Sequence, residues 1–465
     1  MDETSPQIKL AIIGGGFSAA ALIAHLCRHQ PEMSRYITVI GSELGHKPLG
    51  AGAAFGTESE HFRLNVRSDI MKLFSDKSDD FGSWAQKAVS DDDARITYGQ
   101  LDAQKEDYFY RRRDFARYVT VRLNEICSSG LPQQIADRVT SLIPHAACWE
   151  IQTQAGASMR AEHVVLAAGN PPPRWPCSVP ASPQPTGQLI ENPWSGSWLQ
   201  KIETQASCCF VGGGLTALDG IYALFKKQHQ GQIKLVTPQG LTPPVQAPWQ
   251  AHPASSWPSH ITTAGAFVHH MRSSLAAVSQ DWQSISWQEQ FERLRGQLNQ
   301  SWRRLNGDEK TRLMRRAGKY WNLARYRAAP QNIHALKQMQ QRGQLQIIPG
   351  RVLQIQNASQ AYQLTLSDAS IAPISADWVI NCSGTAKDPL TTQLISQGVI
   401  RACAFGTGPE CSDAFEVLDA EGMAYPHCFA LGAMTKGSFG DVVGAGTIAR
   451  QAEQLAPILA ARLSL

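Results

Sequence analysis

The stretch Lys9-Leu10-Ala11-Ile12-Ile13-Gly14-Gly15-Gly16-Phe17-Ser18-Ala19 decides the fold. Lys9–Ile13 is apolar and β-prone, Ser18–Arg28 is rich in Ala and Leu at helical spacing, and Tyr36–Ile40 is a second β-prone run. Strand, glycine turn, helix and strand in that order form one βαβ unit of the size that cradles a dinucleotide. Gly14 permits the tight turn, Gly16 leaves no Cβ in the path of a pyrophosphate, and Ala19 lets the helix settle on the strand. The helix N-terminus adds partial positive charge and free N–H groups. Gly14, Gly15, Gly16, Phe17, Ser18 and Ala19 are therefore candidate cofactor residues, and FAD is the expected cofactor of this turn. In such units an Asp or Glu closes the second strand and holds the ribose hydroxyls. That position is Gly41 here. Glu43 either substitutes from the loop or is an exposed loop acid.

The pattern repeats at 208–236. Cys208–Val211 reads as a strand, Gly212-Gly213-Gly214-Leu215-Thr216-Ala217 as the turn, Leu218–Lys227 as the helix and Ile233–Val236 as the next strand. Gly212, Gly214 and Thr216 are candidates for the pyrophosphate of NADH or NADPH; the other reading is a retained fold that no longer binds nicotinamide. Thr237-Pro238-Gln239-Gly240 follows Val236 with no arginine for a 2′-phosphate, so discrimination for NADPH is expected to be weak unless Arg272 or Lys226 takes that role. The expected fold is α/β, with two Rossmann-like dinucleotide-binding lobes for FAD and NAD(P) and a helical insertion. Residues 1–200 would be the first part of the FAD lobe. Residues 201–345 would be the NAD(P)-like lobe with the insertion at about 265–330, and 346–465 would return to the FAD lobe and end in a helix. Strands His163–Ala168 and Trp378–Asn381 mark the points where the chain changes lobe. The stretches 176–200 and 238–262, rich in Pro and Ser or Pro and Trp, read as loops.

The chain has 465 residues, 43% of them hydrophobic and 18% charged, an ordinary globular composition. Its net charge of +4 does not by itself imply a nucleic-acid partner, and Arg111-Arg112-Arg113 reads as a solvated face or an anion contact. No apolar run is long enough to span a membrane, and the N-terminus lacks a signal peptide's basic region, so a cytoplasmic setting is expected. None of the ten cysteines forms a Cys-x-x-Cys, which argues against both a vicinal redox disulfide and a zinc site. No metal is expected, Glu289 and Glu292 read as a helix surface, and oligomeric state is not legible. Arg325 and Arg327 would clamp an anion from an extended stretch, but a solvated face is the simpler reading.

Gly50-Ala51-Gly52-Ala53-Ala54-Phe55-Gly56-Thr57, His61-Phe62-Arg63-Leu64-Asn65-Val66 and Phe81-Gly82-Ser83-Trp84, with Tyr320–Arg327 and Phe429–Gly437, resemble the FAD/NAD(P)-binding family of bacterial flavoproteins. A wider resemblance is to flavin-containing and N-hydroxylating monooxygenases, in which Ala167-Ala168-Gly169 looks like the Ala-Thr-Gly strand end. The resemblance implies that Gly52, Ala168, Gly169, Gly432, Gly440 and Asp441 border FAD. Asp441 is also read as an ordinary helix N-cap. It further implies that the Asn65 amide is the catalytic group near the flavin, bonding its oxygen adduct or the nicotinamide; the other reading is a turn-capping asparagine. Gly187 to Trp198 carries the glycine and tryptophan of a Baeyer–Villiger fingerprint, but Asn192 stands where a histidine is sought, so no ketone oxygenation is inferred. Flavin chemistry needs no strong protein nucleophile. The leading expectation is an NAD(P)H-dependent monooxygenase of a small, nitrogen-containing metabolite. An FAD oxidase or dehydrogenase that ignores nicotinamide, and a non-catalytic flavin-binding scaffold, are the alternatives. The tryptophans at 249, 257, 282, 287, 302 and 321 would wall a dry pocket or form core.

Overall fold

The computed structural model describes residues 8–28, 30–98, 105–180, 188–250, 252–358 and 361–463. The strand Ile8–Ile13 lies at the centre of the larger sheet, parallel to Ile37–Ile40 on one side and to Ser158–Leu166 on the other. Its Leu10, Ala11 and Ile12 are fully buried, as a strand covered on both faces must be. Ala424–Ala430 pairs parallel with Ser158–Leu166, so the sheet takes strands from both ends of the chain. The helix Phe17–Cys27 that follows the first glycine turn is buried on nearly every face. It packs on the C-terminal helix Ala445–Leu463, which closes the apolar core of this half.

The second sheet is wholly parallel, in the order Leu345–Pro349, Ile233–Thr237, Cys208–Val211, Trp378–Asn381 and Gln188–Ile190. This gives the α/β architecture with two nucleotide-binding-type sheets that the two βαβ patterns imply; the larger sheet has a parallel centre and antiparallel strands at its margin. Two details differ from the expectation. Gln188–Ile190, inside a stretch read as loop, is an edge strand of the second sheet. Where a return to the FAD lobe is expected at 346, Leu345–Pro349 still belongs to the second sheet and Val352–Asn357 to a separate three-stranded sheet, the chain turning between them at Gly350, whose φ is 153°. Both strand placements shift the boundaries expected at 200 and 346, because the chain returns to the larger sheet only after Asn381.

Each glycine turn is pressed against a crossover. Gly14 has φ +109°, and a Cβ there would lie 2.6 Å from the carbonyl oxygen of Ala167. Gly212 has φ +108°, and a Cβ there would lie 2.3 Å from the carbonyl oxygen of Cys382. Ala167 and Cys382 each directly follow the strand that neighbours the turn, so glycine is required at both positions by the same contact. Four helices, Ala264–Ala276, Ile285–Arg295, Leu298–Arg304 and Gly307–Arg325, form a separate apolar cluster beside the two sheets.

His163 on Ser158–Leu166 is 2% exposed; neither ring nitrogen has a hydrogen-bond partner among the described residues, and Nε2 has only the Glu162 carboxylate at 3.7 Å. Burial first, and then the His427 ring 4.9 Å away, hold it below its ordinary value of 6.5. The unfolded chain therefore binds this proton more readily than the folded one, and stability falls as pH drops through the unfolded value. Melting temperature followed from neutral pH to about 5.5 should decline toward acid, and less steeply in His163→Leu; parallel profiles would assign the acid loss to other groups.

Candidate functional site

One cavity of about 3120 Å³ dominates the described residues and runs between the two sheets and the helical cluster. Both glycine turns open onto it, through Gly14, Gly16, Phe17 and Ser18 on one side and Gly212, Gly214 and Thr216 on the other. Gly16 and Gly214 behave unlike Gly14 and Gly212. A Cβ on Gly16 would meet only the Cα of Gly52, at 3.7 Å, and one on Gly214 would meet nothing within 4 Å. The protein itself does not need glycine at these two positions, whereas a phosphate approaching the helix N-terminus does. Lys and Arg outnumber Asp and Glu by eighteen to eight in the lining, although the whole chain carries only +4. A wall of that sign suits a polyanionic ligand such as a dinucleotide.

The Glu43 carboxylate accepts the Gly15 N–H at 2.7 Å. Its other oxygen lies 3.0 Å from where a Cβ on Gly41 would be. Glu43 thus brings a carboxylate to the end of the second strand from two residues downstream and is not a free loop acid. It also takes the Gly15 amide away from any ligand. Gly52, Asn65, Ala168, Gly169, Gly440 and Asp441 all line the cavity. Gly15, Ala19 and Gly432 do not. Ala19 is buried under the helix, and Gly432 presses on Ser18 while its N–H donates to the Gln451 side chain at 3.1 Å. Gly432 is therefore a packing residue. Asn65 is half-buried, and its Nδ2 donates to the Arg327 carbonyl at 3.2 Å, which leaves its carbonyl and one N–H for the cavity.

The sharpest departure from the sequence reading is a buried ionic cluster. Asp441 is not the cap of the C-terminal helix, which starts at Ala445. Its carboxylate accepts Arg295 Nε at 2.5 Å and Arg325 Nε at 2.9 Å. Glu292 is not on a helix surface: it accepts Arg327 Nη1 at 2.9 Å and also pairs with Arg295. Arg325 and Arg327 are 7% and 2% exposed, so neither forms a solvated face. Burial alone would raise both carboxyls; the guanidiniums outweigh it and hold Asp441 and Glu292 below the ordinary range. Burial, reinforced by Arg295 and Arg325 against the opposing pull of Glu292, pushes Arg327 down to about 10. Spacing on a helix does not reveal this cluster, because its partners come from three separate segments.

Arg111-Arg112-Arg113 is not a uniform solvated face either. Arg111 pairs with Asp114, and Arg112 donates to Asp219 at 2.8 and 3.1 Å, where Asn332 also donates at 2.9 Å. This contact ties the helix Arg112–Ile126 to the second glycine helix, Leu215–Lys226. Lys226 pairs with Asp93 and does not line the cavity, whereas Arg272 does. Strand order also supplies a cation that sequence order hides. Gly350 N–H donates to the Thr237 carbonyl, so Arg351, exposed in the cavity lining, stands beside the end of the strand Ile233–Thr237. Of the tryptophans, Trp249, Trp287, Trp302 and Trp321 line the cavity. Trp257 is core, its Nε1 donating to the Leu294 carbonyl at 2.8 Å, and Trp282 stands outside the lining. Asn192 caps a short turn by accepting Trp194 N–H; Gly187 lies outside the described residues.

Residues 11–171 match a family described as FAD-NAD(P)-binding. No curated protein sequence matches the chain. Among solved structures it is similar to an ornithine N-hydroxylase from Kutzneria sp. 744, with TM-score 0.64 and 12% identity over 98% of this chain and 100% of that one. The cadaverine monooxygenase of the desferrioxamine pathway from Erwinia amylovora gives 0.64 and 13% over 98% and 95%. An L-lysine 6-monooxygenase from Pseudomonas syringae gives 0.63 and 15% over 99% and 100%. At these identities the likeness establishes the fold. No helix among the described residues is long and apolar enough to cross a membrane.

Removing one partner from a buried ionic cluster leaves its neighbours uncompensated, at a cost of about 3–5 kcal/mol. Asp441→Ala should therefore lower the urea-unfolding free energy by about that amount. A loss below about 1 kcal/mol would mean that water already screens the cluster.

Proposed function

We propose that the chain is an FAD-dependent, NAD(P)H-consuming monooxygenase of a small metabolite, with N-hydroxylation as the favoured reaction. The observation that carries the reading is that two glycine turns, each with an open Cβ position facing outward, share one electropositive cavity. The first turn, with Glu43 on the ribose side, would hold the FAD pyrophosphate. The second would hold that of the nicotinamide, with Arg351 beside its strand end for a 2′-phosphate. FAD supplies the redox chemistry when bound. This chain's own residues bind, orient and exclude water. Asn65 presents a carbonyl and an N–H from the cavity wall, and the Gly444 to Thr447 turn that opens the C-terminal helix lines the same space. The solved neighbours named as an ornithine N-hydroxylase, a cadaverine monooxygenase and an L-lysine 6-monooxygenase support this reading over a flavin scaffold without activity. A cytoplasmic setting, where NAD(P)H is supplied, fits the same reading.

Purified protein should be yellow and should release FAD on denaturation, and NADH or NADPH should bleach it anaerobically. Gly16→Val and Gly214→Val separate the two turns. Because neither Cβ meets protein closer than 3.7 Å, both variants should fold. Gly16→Val should lose FAD, whereas Gly214→Val should keep it and lose bleaching by nicotinamide. Full FAD occupancy in Gly16→Val would overturn the assignment of the first turn. Bleaching by neither nicotinamide in the unaltered protein would move the reading to an oxidase fed by its own substrate.

Asn65→Ala should retain FAD and its reduction rate. With one charge-assisted hydrogen bond of about 1.5–3 kcal/mol lost from a low-dielectric site, the enzyme should consume NAD(P)H but release a larger share of hydrogen peroxide in place of oxygenated product. If the peroxide-to-product ratio stays constant while thermal stability falls, Asn65 serves only to tie its segment to the Arg327 carbonyl.

A further inference from the structure

The ionic cluster beside the cavity is not electrically balanced. Among the described residues, the carboxylates that Arg295, Arg325 and Arg327 pair with are Asp441 and Glu292, and the three guanidiniums keep both carboxylates ionised. One positive charge is left over, in a group that is at least four-fifths removed from solvent at every side chain. The surplus coincides with unfilled donors. Arg327 Nε and Nη2 are buried and have no acceptor among the described residues. Arg325 spends only its Nε on Asp441, and a Cβ on Gly444 would lie 2.9 Å from its Nη2. That nitrogen therefore reaches the first turn of the C-terminal helix, whose own N-terminus also favours an anion. A buried cation with open donors is costly unless a counter-charge completes it. All five residues line the cavity, so an anion held there lies beside the cluster.

The surface next to these donors is apolar. The Arg327 guanidinium lies over the Phe291 ring at 5.2 Å. Phe291 stacks on Trp287 at 5.4 Å and meets Trp321 at 5.2 Å, and all three rings line the cavity. A small diamine would leave such a wall unmatched, whereas an apolar body would bury it.

We propose that this wall is the substrate subsite, and that the substrate is an apolar carboxylic acid whose body also carries the nitrogen to be hydroxylated. Its carboxylate completes the Arg325–Arg327 surplus and its body lies along Trp287, Phe291 and Trp321. The proposal rests on the reading of the cavity as a flavin monooxygenase site, which FAD content and NAD(P)H oxidation test separately.

The probe pair is 3-phenylpropanoate and its neutral amide, titrated into FAD-loaded protein by calorimetry and by the flavin absorbance shift. The acid should bind at least tenfold more tightly than the amide. Two variants should then move the affinity in opposite directions. Glu292→Gln raises the surplus charge and should tighten the acid several-fold; Arg327→Gln removes it and should bring the acid to the level of the amide. Equal binding of acid and amide, or no binding of either, overturns the proposal, as does weakening of the acid by both variants alike. Competitive displacement of the acid by adenosine 2′,5′-bisphosphate also overturns it, because the surplus would then belong to a nicotinamide phosphate. FAD content and NAD(P)H oxidation that hold while acid and amide bind alike would place the failure in this subsite and not in the flavin reading.

Discussion

The close approach of a glycine turn to the backbone of the neighbouring crossover governs both halves of the molecule. At Gly14 and Gly212 the turn lies within contact distance of the carbonyls of Ala167 and Cys382, with φ near +109° and +108°. No other residue type fits that geometry without moving a strand. With these contacts fixed, the following helix must start at the sheet edge with its N–H groups outward. The next glycine, Gly16 or Gly214, then faces open space. One pair of glycines is required by the fold, and the other is explained only by what the cavity accepts.

This division accounts for what sequence reading caught. Periodicity over Ile8–Ile13, Cys208–Val211 and Trp378–Asn381 gave the strands, because parallel strands covered on both faces are short apolar runs. The glycine spacing gave the turns. Sequence leaves Glu43 two alternatives, and the fold sets its carboxylate on the Gly15 N–H beside Gly41. The edge strand Gln188–Ile190 was missed because three residues within a Pro- and Ser-rich stretch carry no period.

The buried ions are hidden in sequence for a different reason. Arg325, Arg327 and Glu292 look like surface residues in sequence, since charged side chains are rarely fully buried, whereas Asp441 reads as a residue bordering FAD or as a helix N-cap. Each is sheltered by a partner more than 30 positions away, or by one on another segment. Local patterning reports which face of a helix is apolar, but it does not report which charges are neutralised by chain arriving from elsewhere. Arg351 was hidden in the same way. It follows a strand that is adjacent in space to Ile233–Thr237 but more than a hundred residues later in the chain.

The route of the chain sets an order of assembly. The strand Ser158–Leu166 is made early, yet its partner Ala424–Ala430 and the helix Ala445–Leu463 that covers Phe17–Cys27 come from the last tenth of the sequence. While the ribosome is still making the second sheet, the first half has an open strand edge and an uncovered apolar helix. Such surfaces pair readily with other chains. The nascent protein is therefore most vulnerable to aggregation, and most dependent on chaperone shielding, during synthesis of residues 188–381. Premature termination in that interval would leave a fragment unable to complete either sheet.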